Sequence, residues 1–181
     1  PWVYRDHLGR HNLKSGDWVQ VQAGKARAYG LYDATSPIAI RLFGRDEPTP
    51  KLIQDRVEAA LELRSGLFGP STNAFRLISG EGDFLPGITV DQYGRYVVLQ
   101  TYADALEAIV PDVVKALSKR PGLKGIVRRT DGELAALWGE LPPPELTILE
   151  NGLKIIANLY DGQKTGLFLD HRDNRALLER L

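Results

Sequence analysis

The feature that most constrains this chain is a change of hydrophobic rhythm at Pro50. Before it, apolar and polar residues alternate in short bursts, Trp18-Val19-Gln20-Val21-Gln22, Ala26 to Tyr32 and Ile38 to Phe43, separated by turns that contain Gly, Asp and Ser. Alternation of this kind is the signature of short strands with one wet face. After Pro50, Ile53, Val57, Ala60, Leu61 and Arg64 recur three or four residues apart, so the apolar members share one stripe of a helix that closes near Gly66. The chain therefore reads as a small β unit over residues 1–48, followed by a helix within 49–68 that joins it to a second unit. Ser65 to Asn73, rich in Gly, Pro, Ser and Asn, has the composition of a connection.

Downstream, the pattern is strand, loop, strand, tight turn, strand: Phe75 to Ser79, Gly80 to Gly87, Ile88 to Gln92, Tyr93-Gly94 and Arg95 to Thr101. An amphipathic helix follows, with Leu106, Ile109, Val110, Val113, Val114 and Leu117 inward and Pro111 tolerated only in its first turn or at a kink. Gly125 to Arg129 reads as another strand, and Pro142-Pro143-Pro144 as part of a polar crossing. Asn151-Gly152 between two apolar runs is a strong hairpin signal. The expected fold class is α+β: a central domain over 69–155, then a strand, a turn and a helix from Asp170 over 156–181 that begin a further domain. The sequence contains no Met and its final helix lacks a Gly or Pro stop, so the chain is expected to be part of a longer one.

Charge narrows the partners. Lys plus Arg and Asp plus Glu each total 23, so no overall charge announces a nucleic acid or a membrane. Locally, residues 1–48 hold seven basic residues against five acidic ones, whereas Gly69 to Glu150 hold eight against eleven; a phosphate contact is therefore expected in the first unit. The absence of Cys excludes disulfides, thiolate zinc sites and a cysteine nucleophile within these residues. Apolar runs fall far short of the ~20 residues that cross a bilayer, and no signal-peptide pattern opens the chain; it reads as cytoplasmic, with no membrane partner.

Several local patterns have plain structural readings. His7 and His11 are four apart but lack a third or fourth ligand. Gly162-Gln163-Lys164-Thr165-Gly166 lacks the Gly before Lys that a triphosphate loop needs, and on spacing alone it is a turn. Glu81 and Asp83 could divide acid and base roles, but in a Gly-flanked loop they more simply cap turn amides. Lys119-Arg120 and Arg128-Arg129 read as surface charge, and Trp2, Trp18 and Trp138 as packing, although such rings also stack on unpaired bases.

Three runs taken together are more specific. Pro1-Trp2-Val3-Tyr4-Arg5 with the β unit behind it, the run from Gly80-Glu81-Gly82-Asp83-Phe84-Leu85-Pro86-Gly87 to Tyr93-Gly94, and the run from Gly162-Gln163-Lys164-Thr165-Gly166 through Leu167-Phe168-Leu169-Asp170-His171-Arg172 to Arg175 occur in that order. In order and separation they resemble the large-subunit rRNA methyltransferases that modify cytosine at carbon 5 of 23S rRNA. The resemblance implies a PUA-like β-barrel that binds RNA, a central α+β domain, and the beginning of a Rossmann-like domain that uses S-adenosylmethionine.

By that resemblance, Lys164, Thr165, Gly166, Phe168, Asp170 and Arg172 line the methyl-donor site. Arg5, Arg10, Lys14, Lys25, Arg27 and Arg41 are the candidates for backbone phosphates of 23S rRNA; a homodimer stays open. Methylation at carbon 5 needs a nucleophile at carbon 6, supplied by cysteine in such enzymes. The 181 residues lack one and are expected to be inactive alone. The rival readings are a stand-alone RNA-binding adaptor and, further off, a hydrolase built on Glu81 and Asp83.

Overall fold

The alternating bursts form four strands, β1 (Trp2–Tyr4), β2 (Trp18–Ala23), β3 (Ala26–Tyr32) and β4 (Ile38–Gly44), in the antiparallel order β1-β4-β3-β2. In this computed structural model, which describes residues 2–130 and 132–178, the sheet is open and not the closed barrel expected from the resemblance. Among the described residues β1 and β2 end the sheet, and the three-residue β1 passes at once into a 3-10 turn at Arg5–His7. Trp2 lies opposite Arg41, Arg41 opposite Leu31, and Leu31 opposite Trp18. Paired residues of an antiparallel ladder share a face, so this row looks one way. Leu31 and Phe43 on that side are buried with Ile53, Leu85 and Leu106 of the next unit.

The central unit is a sheet in the order β5 (Ala74–Ser79), β6 (Ile88–Tyr93), β7 (Tyr96–Thr101), β8 (Gly125–Thr130) and β9 (Glu133–Gly139). Every pairing is antiparallel except β7 with β8. Parallel neighbours need a crossover, here α2 (Val110–Leu117) with Pro111 in its first turn. The residues ahead of it, expected in the same helix, form a separate 3-10 turn at Asp104–Ala108. The helix expected to connect two units, α1 (Leu52–Ser65), is built into the core: Ile53, Val57 and Ala60 are buried with Leu77, Val113 and Leu117. Its stripe finds α2 and the sheet within reach, and each large apolar side chain so buried contributes about 1.5–3 kcal/mol.

The other face of the sheet carries Ala74, Tyr93, Tyr96, Val98 and Val127, and it is covered by Leu146, Ile148, Ala157 and Leu159. These come from the hairpin β10 (Leu146–Glu150) and β11 (Leu153–Ala157) and the segment after it. Asn151 and Gly152 at its tip have φ of 51° and 88°, as the expected two-residue turn requires. The result is three layers, two helices, a sheet, and a hairpin with the terminal segment. The strand expected at the start of a further domain is the second arm of this hairpin. After it the chain runs through turns, a 3-10 turn at Leu169–His171 and α3 (Arg172–Leu178); the last three residues of the expected helix lie outside the described residues.

One carboxylate ties the first unit to the second. Asp33 is fully buried. Its Oδ1 accepts from the Thr35 and Ser36 amides at 2.9 and 2.7 Å and from the Thr35 hydroxyl at 2.9 Å, and its Oδ2 accepts from the Ala105 amide at 3.0 Å. Burial pushes its pKa up, but these donors outweigh burial and hold it at about 2.

Candidate functional site

A cleft of about 370 Å³ opens where the end of α1, the first two strands of the central sheet and residues 164–172 meet, walled by Arg64, Phe68, Arg76, Asp91, Lys164 and Arg172 among others. The register of β5 against β6 sets Arg76 opposite Asp91. Asp91 is buried; its Oδ1 accepts from Arg76 Nε at 2.7 Å, and its Oδ2 accepts from Arg76 Nη2 at 3.0 Å and Thr165 Oγ1 at 2.7 Å. With the Thr165 proton directed to Asp91, the Tyr93 hydroxyl donates to Thr165 Oγ1 at 2.8 Å and accepts from the Leu167 amide at 3.2 Å. Burial pushes the Tyr93 hydroxyl up to about 12, so it keeps its proton throughout the neutral range. A second fork closes the α1 side: Arg64 donates to both oxygens of buried Asp83 at 2.5 and 2.8 Å, and the Ser79 amide donates to Asp83 at 2.6 Å.

The segment from Gly162 to Arg172 is held onto this floor from three sides. Arg129 donates to the carbonyls of Tyr160 at 3.2 Å, of Gly162 at 2.6 Å and of Lys164. Arg175 donates to both oxygens of buried Glu150 at 2.7 Å and to the Phe168 carbonyl at 2.9 Å. Gly166 turns with φ 139°, where L side chains are strained, and a Cβ there would lie 2.4 Å from Leu159 Cδ2 and 3.2 Å from the Asn158 carbonyl oxygen, so the turn favours glycine. At the mouth, Lys164 Nζ lies 3.1 Å from Asp170 Oδ2 and 4.8 Å from the centre of the Phe168 ring. The lysine holds the Asp170 carboxyl below its ordinary pKa. Arg172 sits 4.8 Å above the Phe68 ring, which stacks on Phe75 at 4.2 Å.

The six residues expected around the methyl donor thus divide. Lys164, Asp170 and Arg172 line the cleft, and Phe168 packs beneath Lys164. Thr165 is buried and its hydroxyl is spent on Asp91 and Tyr93, so its place is structural, as is that of Gly166. The six residues expected on RNA divide as well. Arg10, Lys14, Lys25 and Arg27 are exposed. Arg41 is buried and donates to the carbonyls of Ile38 and Tyr102 at 3.3 Å. Arg5 donates to the carbonyls of Asp33 and Ser36 at 2.7 Å. Both tie strands and loops of the first unit to one another, and Arg41 also ties them to the central unit through Tyr102, by donating to backbone carbonyls.

Other sequence candidates resolve as architecture. Asp83 is locked to Arg64, while Glu81 accepts from the Trp2 indole at 3.3 Å, which leaves no free carboxylate pair. Trp18 packs edge-on against Phe43, Arg128 pairs with Glu107, and Arg120 donates to Gln92. His11 packs on Tyr32, and no group of three metal-ligating side chains occurs among the described residues. Arg64, Phe68, Phe75 and Arg76 are wall residues without a local sequence signature. Only the pairing of β5 with β6, which sets Arg76 against Asp91, could have exposed one of them.

Comparison with known proteins adds the following. Residues 1–45 match a PUA-like domain. Along 99% of its length the chain is 35% identical to half of the ribosomal RNA large subunit methyltransferase I of Pseudoalteromonas translucida, and along its whole length 31% identical to half of a ribosomal RNA large subunit methyltransferase of Deinococcus radiodurans. Among solved structures, a candidate SAM-dependent methyltransferase from Streptococcus mutans superposes on 98% of the chain with a TM-score of 0.81 at 25% identity, over 49% of its own length. A second candidate methyltransferase, crystallised with SAH, superposes with a TM-score of 0.83 at 25% identity, over 48% of its length. The chain spans about half the length of the curated relatives it matches, and over that span it shares its fold with methyltransferases of solved structure.

Proposed function

We propose that these residues are the RNA-binding and donor-edge half of an S-adenosylmethionine-dependent methyltransferase that acts on large-subunit rRNA, with carbon 5 of a 23S cytosine as the acceptor. One observation carries the reading: the segment from Lys164 to Arg172, docked on the central sheet through Thr165, presents Lys164, Asp170 and Arg172 to a single cleft. Similarity along the chain to rRNA methyltransferases supports the same assignment.

The residues at the mouth fit the donor by charge. The methionine part of S-adenosylmethionine carries a carboxylate beside an ammonium, and the Lys164–Asp170 pair offers one partner of each sign, with the Phe168 ring as an apolar surface beside them. When bound, the donor supplies an electrophilic methyl group on its sulfonium. The residues of this chain hold and orient it; Tyr93 and Asp91 keep the turn that bears Lys164 in place. The carbon-6 nucleophile is not among the 181 residues, which contain no Cys. On the RNA side, Arg10, Lys14, Lys25 and Arg27 are free to meet phosphates, contacts that position an enzyme without reading sequence.

Binding of the chain to 23S rRNA fragments, measured from about 50 to about 200 mM salt, tests the proposal. The four phosphate contacts of the first unit predict a slope of about −2.8 or steeper in log K against log salt, at about −0.7 for each on single-stranded RNA. With labelled donor, no methyl is expected to enter the RNA. Salt-independent binding would contradict the RNA assignment, and methyl incorporation would contradict the assignment of the nucleophile.

A further inference from the structure

We infer that the inner part of the cleft, between α1 and β5, is a seat for a backbone phosphate of the substrate RNA, which takes Arg172 for the RNA and leaves the Lys164–Asp170 pair at the mouth to the donor. The inference rests on the reading of the chain as part of an RNA methyltransferase. It deepens that reading by locating where the RNA enters the central domain.

The argument is one of unspent donors. Asp91 and Asp83 are buried, and each has both oxygens engaged from the protein side, Asp91 by Arg76 and Thr165 and Asp83 by Arg64 and the Ser79 amide. The two carboxylates therefore hold their arginines rigidly and have little left to offer a ligand. Arg76 uses Nε and Nη2 on Asp91, its Nη1 has no protein partner among the described residues, and its side chain is 44% exposed. Arg172 is held differently, its guanidinium carbon 4.8 Å from the centre of the Phe68 ring, with the exposed Asp173 as its one ion partner among the described residues. Its guanidinium therefore meets no buried acid among the described residues.

Apart from the Lys164–Asp170 pair, three guanidiniums, Arg64, Arg76 and Arg172, line the cleft against the carboxylate of Asp91. A wall of oriented forks with spent acids suits a group that carries only negative charge and accepts at two oxygens, which describes a phosphodiester. The methionine part of the donor suits it less, because its ammonium would face guanidiniums. The Arg172 guanidinium beside the Phe68 ring also offers an unpaired base a surface, as arginine planes do in single-strand recognition.

The test uses anisotropy of a short fluorescein-labelled single-stranded RNA with the whole chain from about 50 to about 200 mM salt, with SAH binding measured in parallel. Arg172→Gln removes no partner of a buried acid, and Arg76→Lys keeps a charge on Asp91 while losing the fork; both are checked for unchanged melting. Each is expected to weaken RNA binding by about fivefold or more, and Arg172→Gln to lower the salt slope by about 0.7, the share of one single-strand phosphate. Lys119→Gln, outside the cleft, is expected to change affinity less than twofold. If both cleft variants bind RNA as the parent does, the phosphate seat is wrong while the RNA reading stands. If only SAH binding falls, the inner cleft belongs to the donor and the seat is again wrong. If the parent chain binds no RNA, the underlying reading falls with it.

Discussion

Asp33→Ala is expected to lower the unfolding free energy by about 2–3 kcal/mol, because it strands the buried Ala105 amide and removes the acceptor of the Thr35 and Ser36 amides, while the Thr35 hydroxyl keeps Asp104 as a partner. Asp33→Asn, which keeps one acceptor oxygen, should cost about half as much. The pH dependence carries the sign. The folded pKa of about 2 lies below the ordinary 3.8, so the contribution of the ionised group is complete above about pH 4 and fades as the pH falls toward 2. Urea unfolding of parent and Asn variant at neutral pH and near pH 2 should therefore give a stability gap that narrows in acid. A gap independent of pH would mean that the Asp33 charge does not join the first unit to the 3-10 turn at Ala105.

Asp91→Ala is expected to cost about 2–4 kcal/mol and to loosen the terminal segment in particular. It removes the acceptor for Thr165 and leaves Arg76 without its counter-charge. The range lies toward the low side of the about 3–5 kcal/mol for a fully buried broken pair, because Arg76 is 44% exposed and water can reach it. The distinctive result is local: amide exchange at Leu167, whose N–H donates to Tyr93, should accelerate well beyond the global loss of stability. Thr165→Val, which keeps the carboxylate but removes the hydroxyl, should reproduce the local effect at a smaller global cost. If exchange in residues 164–172 follows global unfolding alone, the Asp91–Thr165–Tyr93 chain is not what holds the segment to the sheet.

The sequence disclosed this architecture unevenly, for identifiable physical reasons. Elements with one clear apolar rhythm were legible: the strands of the first unit, β6 and β7, whose turn falls at Gly94-Arg95, one residue later than the Tyr93-Gly94 expected, and the hairpin at Asn151-Gly152, whose residues supply the backbone angles the turn needs. β9 was missed because it is an edge strand with little burial, Leu134-Ala135-Ala136-Leu137-Trp138 lacking the alternation that a half-buried strand shows. The role of α1 was misread because an apolar stripe says that a helix is covered, not by what. For the site, Lys164, Asp170 and Arg172 were named on resemblance and do line one cleft. Thr165, Arg5 and Arg41 were given ligand roles, yet their polar atoms are engaged within the protein, Thr165 with buried Asp91 and the two arginines with backbone carbonyls. Polar residues of the same type serve ligands or the fold according to whether their bonds are already taken, and that depends on contacts some thirty to seventy positions away, such as Arg5 with Asp33 or Thr165 with Asp91. Arg64 and Arg76, central to the cleft, looked like ordinary surface arginines for the same reason.

The most direct test of the central claim is amide chemical-shift mapping of the chain on titration with a 23S rRNA fragment. The account predicts saturable shifts concentrated at Lys164 to Arg172 and around Arg76, with a second group at the exposed Lys25 and Arg27 of the first unit. Saturable shifts confined to other surfaces, such as α2 and β9, with residues 164–172 unperturbed, would contradict it.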